Sequence, residues 1–364
     1  MRDDSPMAAV DSPSFSVSER FIHFAEVDCR GNSALYAAVA HAVTTDEDAL
    51  EVIAQAPVDK QHPTVVLAVV HDLALSGSAP AVAAAFAAGD TESAGPAVCH
   101  AIVEHHAAVL RMVTERQTQT NEVGRSALLY PAIARAALDA GAARVALVDV
   151  GCSAGLNLQL DKYSISYSDG VVVGDPQSPV HLTCDVVGEH VPPRPPALPH
   201  VTQRVGVDLR PVDVRDPAET RWLEACVWPD QPERRARLRA ACALAITHPV
   251  RFVAGDVLDV LPGVLASVEQ DVLPVVITTW AIAYLKPSDR FRFLHRLGAA
   301  ALDRPIAWVS GEAVGLAPGV PTIGDAKTAA HSLLAVAVAD GRRFSAETVA
   351  RCHPHGRWIE WLAP

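Results

Sequence analysis

VDVGCSAGLN, residues 148–157, joins an apolar run to a glycine turn and the start of a helix. A buried strand would end at Gly151, and the small residues Ser153, Ala154 and Gly155 would let a ligand approach the backbone before the helix begins. The positive end of that helix and its free N–H groups favour an anionic group such as a carboxylate. Such a hinge suits a nucleotide-like cofactor, with Asp149, Gly151, Ser153, Gly155 and Asn157 as the expected contacts. A lone match of this kind also fits a glycine turn that holds no ligand.

Either side of the hinge the chain follows a different grammar. From Ser18 to about Gly141 apolar residues recur at helical spacing. Pro63 opens a helix through Val65, Val66, Val69, Val70 and Leu73 that Ser76-Gly77 ends. A second helix is expected over 98–116, and a third over 122–140, kinked at Pro131 and stopped by Gly141. After Gly141 come short apolar runs separated by helical segments, the pattern of a parallel sheet with crossovers. The expected strands are 145–150, 203–208, 251–254, 275–279 and 306–310, with 358–362 as a final one, and their order in the sheet is not readable. An insertion over 161–203 interrupts this pattern between the first crossover helix and the second strand. It reads as a hairpin, 163–168 and 171–173 about the turn pair Asp169-Gly170, followed by the stiff connector PPRPPALP. The expected division is a disordered tail over 1–15, a helical substrate or lid domain over 16–143, and an α/β cofactor-binding domain over 144–364.

Half of the 364 residues are hydrophobic, so core material is plentiful, and the formal net charge is −12. That charge disfavours a nucleic-acid partner, which calls for clustered Lys and Arg. The seven cysteines are scattered without CxxC pairing, as in a reducing compartment without a disulfide frame. The longest apolar stretches fall short of the roughly 18 residues of a membrane span. The acidic start lacks the pattern of a signal peptide. A cytoplasmic protein is the expectation.

Two carboxylates join the hinge, each at a point where a later strand of such a fold delivers a side chain to the same edge. Asp208, ending VGVD, could accept from both ribose hydroxyls, or could cap the turn LRPVDV. Asp256, in RFVAGDV, could accept from an adenine amino group beside the N–H of Val257, or could cap a helix. With these residues the chain resembles the class I S-adenosylmethionine-dependent methyltransferases. More closely, it resembles an uncharacterised bacterial family of methyltransferase-like proteins, domain of unknown function 2332. The phrases that carry this resemblance are CRGNSALY, QTNEVGR, VDVGCSAGLNL, GDPQSPVHLTC, VGVDLRPVDV, VWPDQPERRARL and WAIAYL. It implies an α/β fold with a Rossmann-like class I methyltransferase sheet, an N-terminal helical domain, a β-hairpin insertion and a pocket for S-adenosylmethionine. It implies no particular acceptor. Asp208 lies much further beyond Gly155 than the about 20 residues usual in a dinucleotide fold, a surplus the insertion supplies. If the insertion itself held the second strand, Asp175 or Asp185 would compete for the ribose.

Chemistry gathers at the carboxyl ends of parallel strands, so Thr278, Thr279, Trp280 and Tyr284 are expected at the substrate mouth. Trp280 and Tyr284 could face a sulfonium by cation–π attraction or simply pack; Tyr284 is a catalytic candidate. In TQTNEVGR, Thr120, Asn121 and Arg125 are candidate substrate contacts and Glu122 a candidate base. Equally, Thr120 or Asn121 would cap a helix on which Glu122 pairs with Arg125. His71-Asp72 could be a base with its orienter, but adjacent side chains diverge on a helix. His353 and His355 lack a carboxylate at ligand spacing, so no metal is expected. GCSAG also matches the G-x-S-x-G elbow of serine hydrolases, with Ser153 as nucleophile and His353 or His355 as base. That rival lacks the strands expected before an elbow and gives Asp208 and Asp256 no shared role. A third reading is a protein that binds S-adenosylmethionine without transferring its methyl group. The expected acceptor is a small molecule; oligomeric state is not read.

Overall fold

The computed structural model describes residues 15–339, 341, 344 and 346–362, so the tail expected over 1–15 lies, Phe15 apart, outside them. Two compact units divide the chain. One holds the described residues up to Thr120 together with Arg215–Arg239; the other holds Asn121–Val214 and the described residues from Ala240. The boundary after residue 239 falls inside the helix Pro232–Thr247.

The first unit is helical: Val17–His23, Ala34–Thr44, Glu47–Ala54, Pro63–Leu75, Pro80–Ala88, Thr91–Glu104, His106–Glu115 and Pro217–Ala225. Local chemistry starts these helices. Ser16 and Glu19 form a reciprocal capping box, Asp46 and Asp90 cap two others, and Pro63 occupies a first-turn position that needs no N–H donor. The helix expected over 98–116 is two helices, because His105 leaves helical geometry at φ −103°, ψ 23°. The unit closes on one apolar core that includes Phe21, Phe24, Tyr36, Val66, Val69, Phe86 and Trp222. Gly95 permits one close approach there, since a Cβ would stand 2.5 Å from that of Ala42. His71 donates from Nδ1 to the Ala225 carbonyl at 3.1 Å, and burial lowers it to about 4. Asp72 pairs instead with Arg221 at 3.0 Å, so the two neighbours do not act together. No single helix among the described residues is long and apolar enough to cross a membrane. The bent pair Pro63–Leu75 and Pro80–Ala88, which together have the composition, lies in this core.

The second unit is built on an eleven-stranded, mostly parallel sheet. In chain order the strands are β1 Arg144–Val150, β2 Ser164–Tyr167, β3 Val172–Gly174, β4 His181–Val187, β5 His200–Asp208, β6 Arg251–Ala254, β7 Leu273–Thr279, β8 Ile306–Ala313, β9 Ser332–Ala339, β10 Ala346–Cys352 and β11 Trp358–Trp361. Their spatial order is β3-β2-β4-β11-β10-β9-β8-β7-β1-β5-β6. From β8 to β6 all neighbours are parallel. β1 sits inside this block, and Val145 to Val148 are fully buried, as a strand covered on both faces requires. One face packs Val148, Val150, Val205, Val276 and Trp308 under the helices Val257–Ala266 and Pro287–Ala300. The helix Ser126–Asp139 lies against β7, β8 and β9.

The connection after β1 is a seven-residue 3-10 segment, Leu156–Lys162, where an α-helix was expected. It must end at Tyr163 because the chain there enters β2. The expected hairpin is β2 with β3, antiparallel and paired Ile165 to Val173. β4, β9 and β10 are strands that periodicity did not mark. The strand beside β1 is β5, pairing Asp149 with Gly206, so it is Asp208 that ends beside the hinge. Asp175 and Asp185 belong to the stretch that forms β3 and β4, far across the sheet order.

Candidate functional site

The turn after β1 is held shut by a carboxylate from its neighbour. Asp208 accepts from the Ser153 N–H at 2.8 Å through Oδ2 and from the Arg210 N–H at 2.9 Å through Oδ1. The Ser153 carbonyl returns a bond, accepting from the Val212 N–H at 3.1 Å. Ser153 itself is left-handed, at φ 50°, which a β-carbon disfavours. Its hydroxyl is buried and has no hydrogen-bond partner. Asp256 caps the helix Val257–Ala266, accepting from the Leu258 N–H at 2.8 Å, and Val257 is buried behind it. Both aspartates therefore have the capping role that the sequence offered as an alternative. Capping takes one lone pair of each oxygen it uses, and an ionised carboxylate has about four.

The hinge glycines serve contacts within the chain. At Gly151, φ 71°, a Cβ would lie 2.7 Å from that of Ala281, and at Gly155, φ 67°, 3.1 Å from the Phe252 ring. Gly206 on β5 is equally constrained, 2.6 Å from Cys152 Sγ. The segment after Gly155 is too short to supply the helix-end field expected of it. Asn157 is buried and accepts from Ser126 Oγ at 3.0 Å, which directs its side chain to the helix Ser126–Asp139.

Beside the turn, Asn121 donates to the Cys152 carbonyl at 2.6 Å, and its Oδ1 is buried without a partner. Glu122, the candidate base, accepts from the Gly124 N–H at 2.9 Å and caps the short 3-10 turn Val123–Arg125. Arg125 donates to the carbonyls of Pro354 at 2.9 Å and Thr279 at 3.1 Å. Thr120 belongs to the helical unit. Asp149 is 2 % exposed, and burial pushes its carboxyl up to about 7, with Arg125 opposing and Asp208 adding to the rise.

At the end of β7 the chain turns through Trp280, left-handed at φ 54°, whose N–H donates to the Gly311 carbonyl at 3.1 Å and whose indole donates to Ser332 Oγ at 3.0 Å. Tyr284 ends the following 3-10 turn with 80 % of its surface exposed. Thr278 is buried and accepts from the Trp308 indole at 3.0 Å. The residue that sequence reasoning missed here is Glu312, near the end of β8. Its Oε1 accepts from the N–H groups of Ala281 at 3.1 Å and Ile282 at 3.3 Å, while its Oε2 is buried with no partner. Burial raises this carboxyl to about 7, against lowering by those two N–H groups, then Arg125 and Arg290. The expected strand stopped at Ser310. Extended by two residues, it would have placed Glu312 at the carboxyl edge of the parallel strands.

A family model described as an uncharacterized protein conserved in bacteria (DUF2332) matches residues 18–361. No curated protein matches the chain, and no solved structure matches it.

Proposed function

This chain belongs to the DUF2332 family of bacterial proteins, and we propose that it is an S-adenosylmethionine-dependent methyltransferase acting on a small molecule. The observation that carries the reading is Asp208: one carboxylate on the strand next to β1 holds the Ser153 amide of the glycine turn. The order of the parallel block supports it. Numbered along the chain, β1, β5, β6, β7 and β8 are arranged 3-2-1-4-5, a doubly wound order whose ligands lie beyond the carboxyl ends of the strands near the first. Gly151, Asp208 and Asp256 lie at or just past the ends of three adjacent strands, and two interstrand spacings make about 10 Å. That is the scale of an adenosine laid along the edge.

The donor set fits such a group. Asp208 keeps lone pairs on both oxygens for two ribose hydroxyls, and Asp256 keeps those of its second oxygen for an amino group. Bound S-adenosylmethionine would supply an electrophilic methyl on a sulfonium. The chain's own task is to orient the acceptor and exclude water, a largely positional advantage.

One feature favours the serine-hydrolase reading, the left-handed backbone of Ser153 with its unpartnered hydroxyl. A serine nucleophile needs a general base within hydrogen-bond reach, and Ser153 Oγ has no hydrogen-bond partner among the described residues. Calorimetry with S-adenosylhomocysteine tests the preferred reading. Micromolar binding is expected, weakened at least tenfold in Asp208→Ala. Absence of binding by folded protein, or labelling of Ser153 by a fluorophosphonate, rejects it. Binding without loss of methyl from S-adenosylmethionine in a metabolite screen would indicate a binding protein instead.

A further inference from the structure

We propose that Glu312 receives the acceptor as an ammonium, so that the substrate class is a small amine; this rests on the methyltransferase reading, in which the ammonium would yield one proton to Glu312 and the freed lone pair would form the N–C bond as the methyl–sulfonium bond breaks, leaving S-adenosylhomocysteine. The geometry is that of a carboxylate fixed through one oxygen, with the other buried and without a donor. β8 carries Glu312 to the carboxyl edge of the parallel block, and two consecutive backbone N–H groups, Ala281 and Ile282, fix its Oε1. The same loop is anchored by the Trp280 N–H on the Gly311 carbonyl. The turn after β1 approaches this loop so closely that Gly151 has no room for a side chain against Ala281. Glu312 is thus positioned by the very loop that meets the hinge.

Its second oxygen is the unmatched part. The side chain is 2 % exposed and Oε2 has no hydrogen-bond partner. A buried carboxylate oxygen without a donor is costly, and such groups are normally satisfied. The nearby Arg290 donates to the carbonyls of Ile282, Leu285 and Ala283. Two positions earlier on β8, Ser310 Oγ is also buried and unpartnered, and alternation along a strand puts it on the same face. A hydroxyl and a carboxylate oxygen together suit a group with several N–H donors. In a site of low dielectric a full positive charge gains most from the carboxylate. Arg125 and Arg290 offset part of the Glu312 charge from a distance, but neither donates to Oε2, so an amine would supply the missing direct donor, an alcohol only a weaker one, and an anion none.

The test uses three probes on one skeleton, benzylamine, benzyl alcohol and benzoate, titrated into the full chain by ligand-observed NMR with and without S-adenosylhomocysteine. Benzylamine alone should bind. Glu312→Gln should weaken it at least tenfold while leaving S-adenosylhomocysteine affinity within twofold. Equal binding of benzyl alcohol or benzoate, equal binding of benzylamine by Glu312→Gln, or binding of none of the three would overturn the proposal. The comparison among probes needs only the unmodified protein, so it stands even if the variant fails to fold. Failure of S-adenosylhomocysteine to bind would reject the cofactor reading separately, since the amine is also measured without it.

Discussion

Asp149 and Glu312 lie one residue short of the ends of β1 and β8, with β7 between them, and burial pushes both carboxyls up to about 7. In an unfolded chain such groups titrate near pH 4. Between about pH 4 and 7 these two carboxyls therefore hold more protons in the folded protein than in the unfolded chain, while His71, lowered to about 4 by burial, holds fewer. The contribution of the two carboxyls to stability falls as pH rises through that window and levels above about 7, where they are ionised in both states, and His71 contributes with the opposite sign below about 6.5. Replacing Asp149 by Asn removes one of the two groups responsible. The variant should show a shallower fall between pH 5 and 7, and at pH 8 should exceed the parent by up to a few kcal/mol. Urea denaturation at four pH values across that range would measure this. A slope identical to that of the parent would mean that Asp149 ionises in the folded state as easily as in water.

At the scale of elements, the hinge is set by close approaches that only glycine allows. Gly151 is left-handed and faces Ala281 at 2.7 Å, so Gly151→Ala meets both a backbone penalty and an overlap. A loss of about 2–4 kcal/mol is expected from these terms together. Gly263 provides the contrast, lying inside the helix Val257–Ala266 with nothing within 4 Å of a Cβ. Gly263→Ala should be neutral or stabilise by up to about 1 kcal/mol through helix propensity. Thermal melts of the pair would read the difference, and equal effects would remove the packing account of the hinge. These elements also show what a sequence can disclose. β1, β5, β6 and β7 were legible because each is a short apolar run bounded by turn residues. β9, SLLAVAVA, was not, since an Ala-rich apolar run fits a buried helix as well as a strand. The break at His105 was hidden because no Gly or Pro marks it. Asp208 was recognised by its position at a strand end. Its bond to the Ser153 amide was not, because that contact joins residues 55 apart in the chain. Glu312 escaped notice because β8 runs three residues beyond the expected end.

Over the whole molecule the balance of charge bears on which ligands approach. The formal net charge is −12, and Asp149, Asp208, Asp256 and Glu312 all lie at or near the carboxyl edge of the parallel strands. A field of that sign draws cations and repels polyanions, and salt weakens it over a Debye length of about 10 Å at 0.1 M. S-adenosylmethionine carries one more positive charge than S-adenosylhomocysteine, while the adenosyl contacts proposed for Asp208 and Asp256 are common to both. Comparing the two ligands therefore cancels the hydrogen bonds and isolates the electrostatic part. The preference for S-adenosylmethionine should be largest at low ionic strength and shrink several-fold by about 0.5 M salt, where screening is nearly complete at contact range. Calorimetric titrations of both ligands across that range would provide the ratio. If the ratio stays constant, the sulfonium is being recognised only by short, buried contacts, and the charge of the chain has no part in choosing its cofactor.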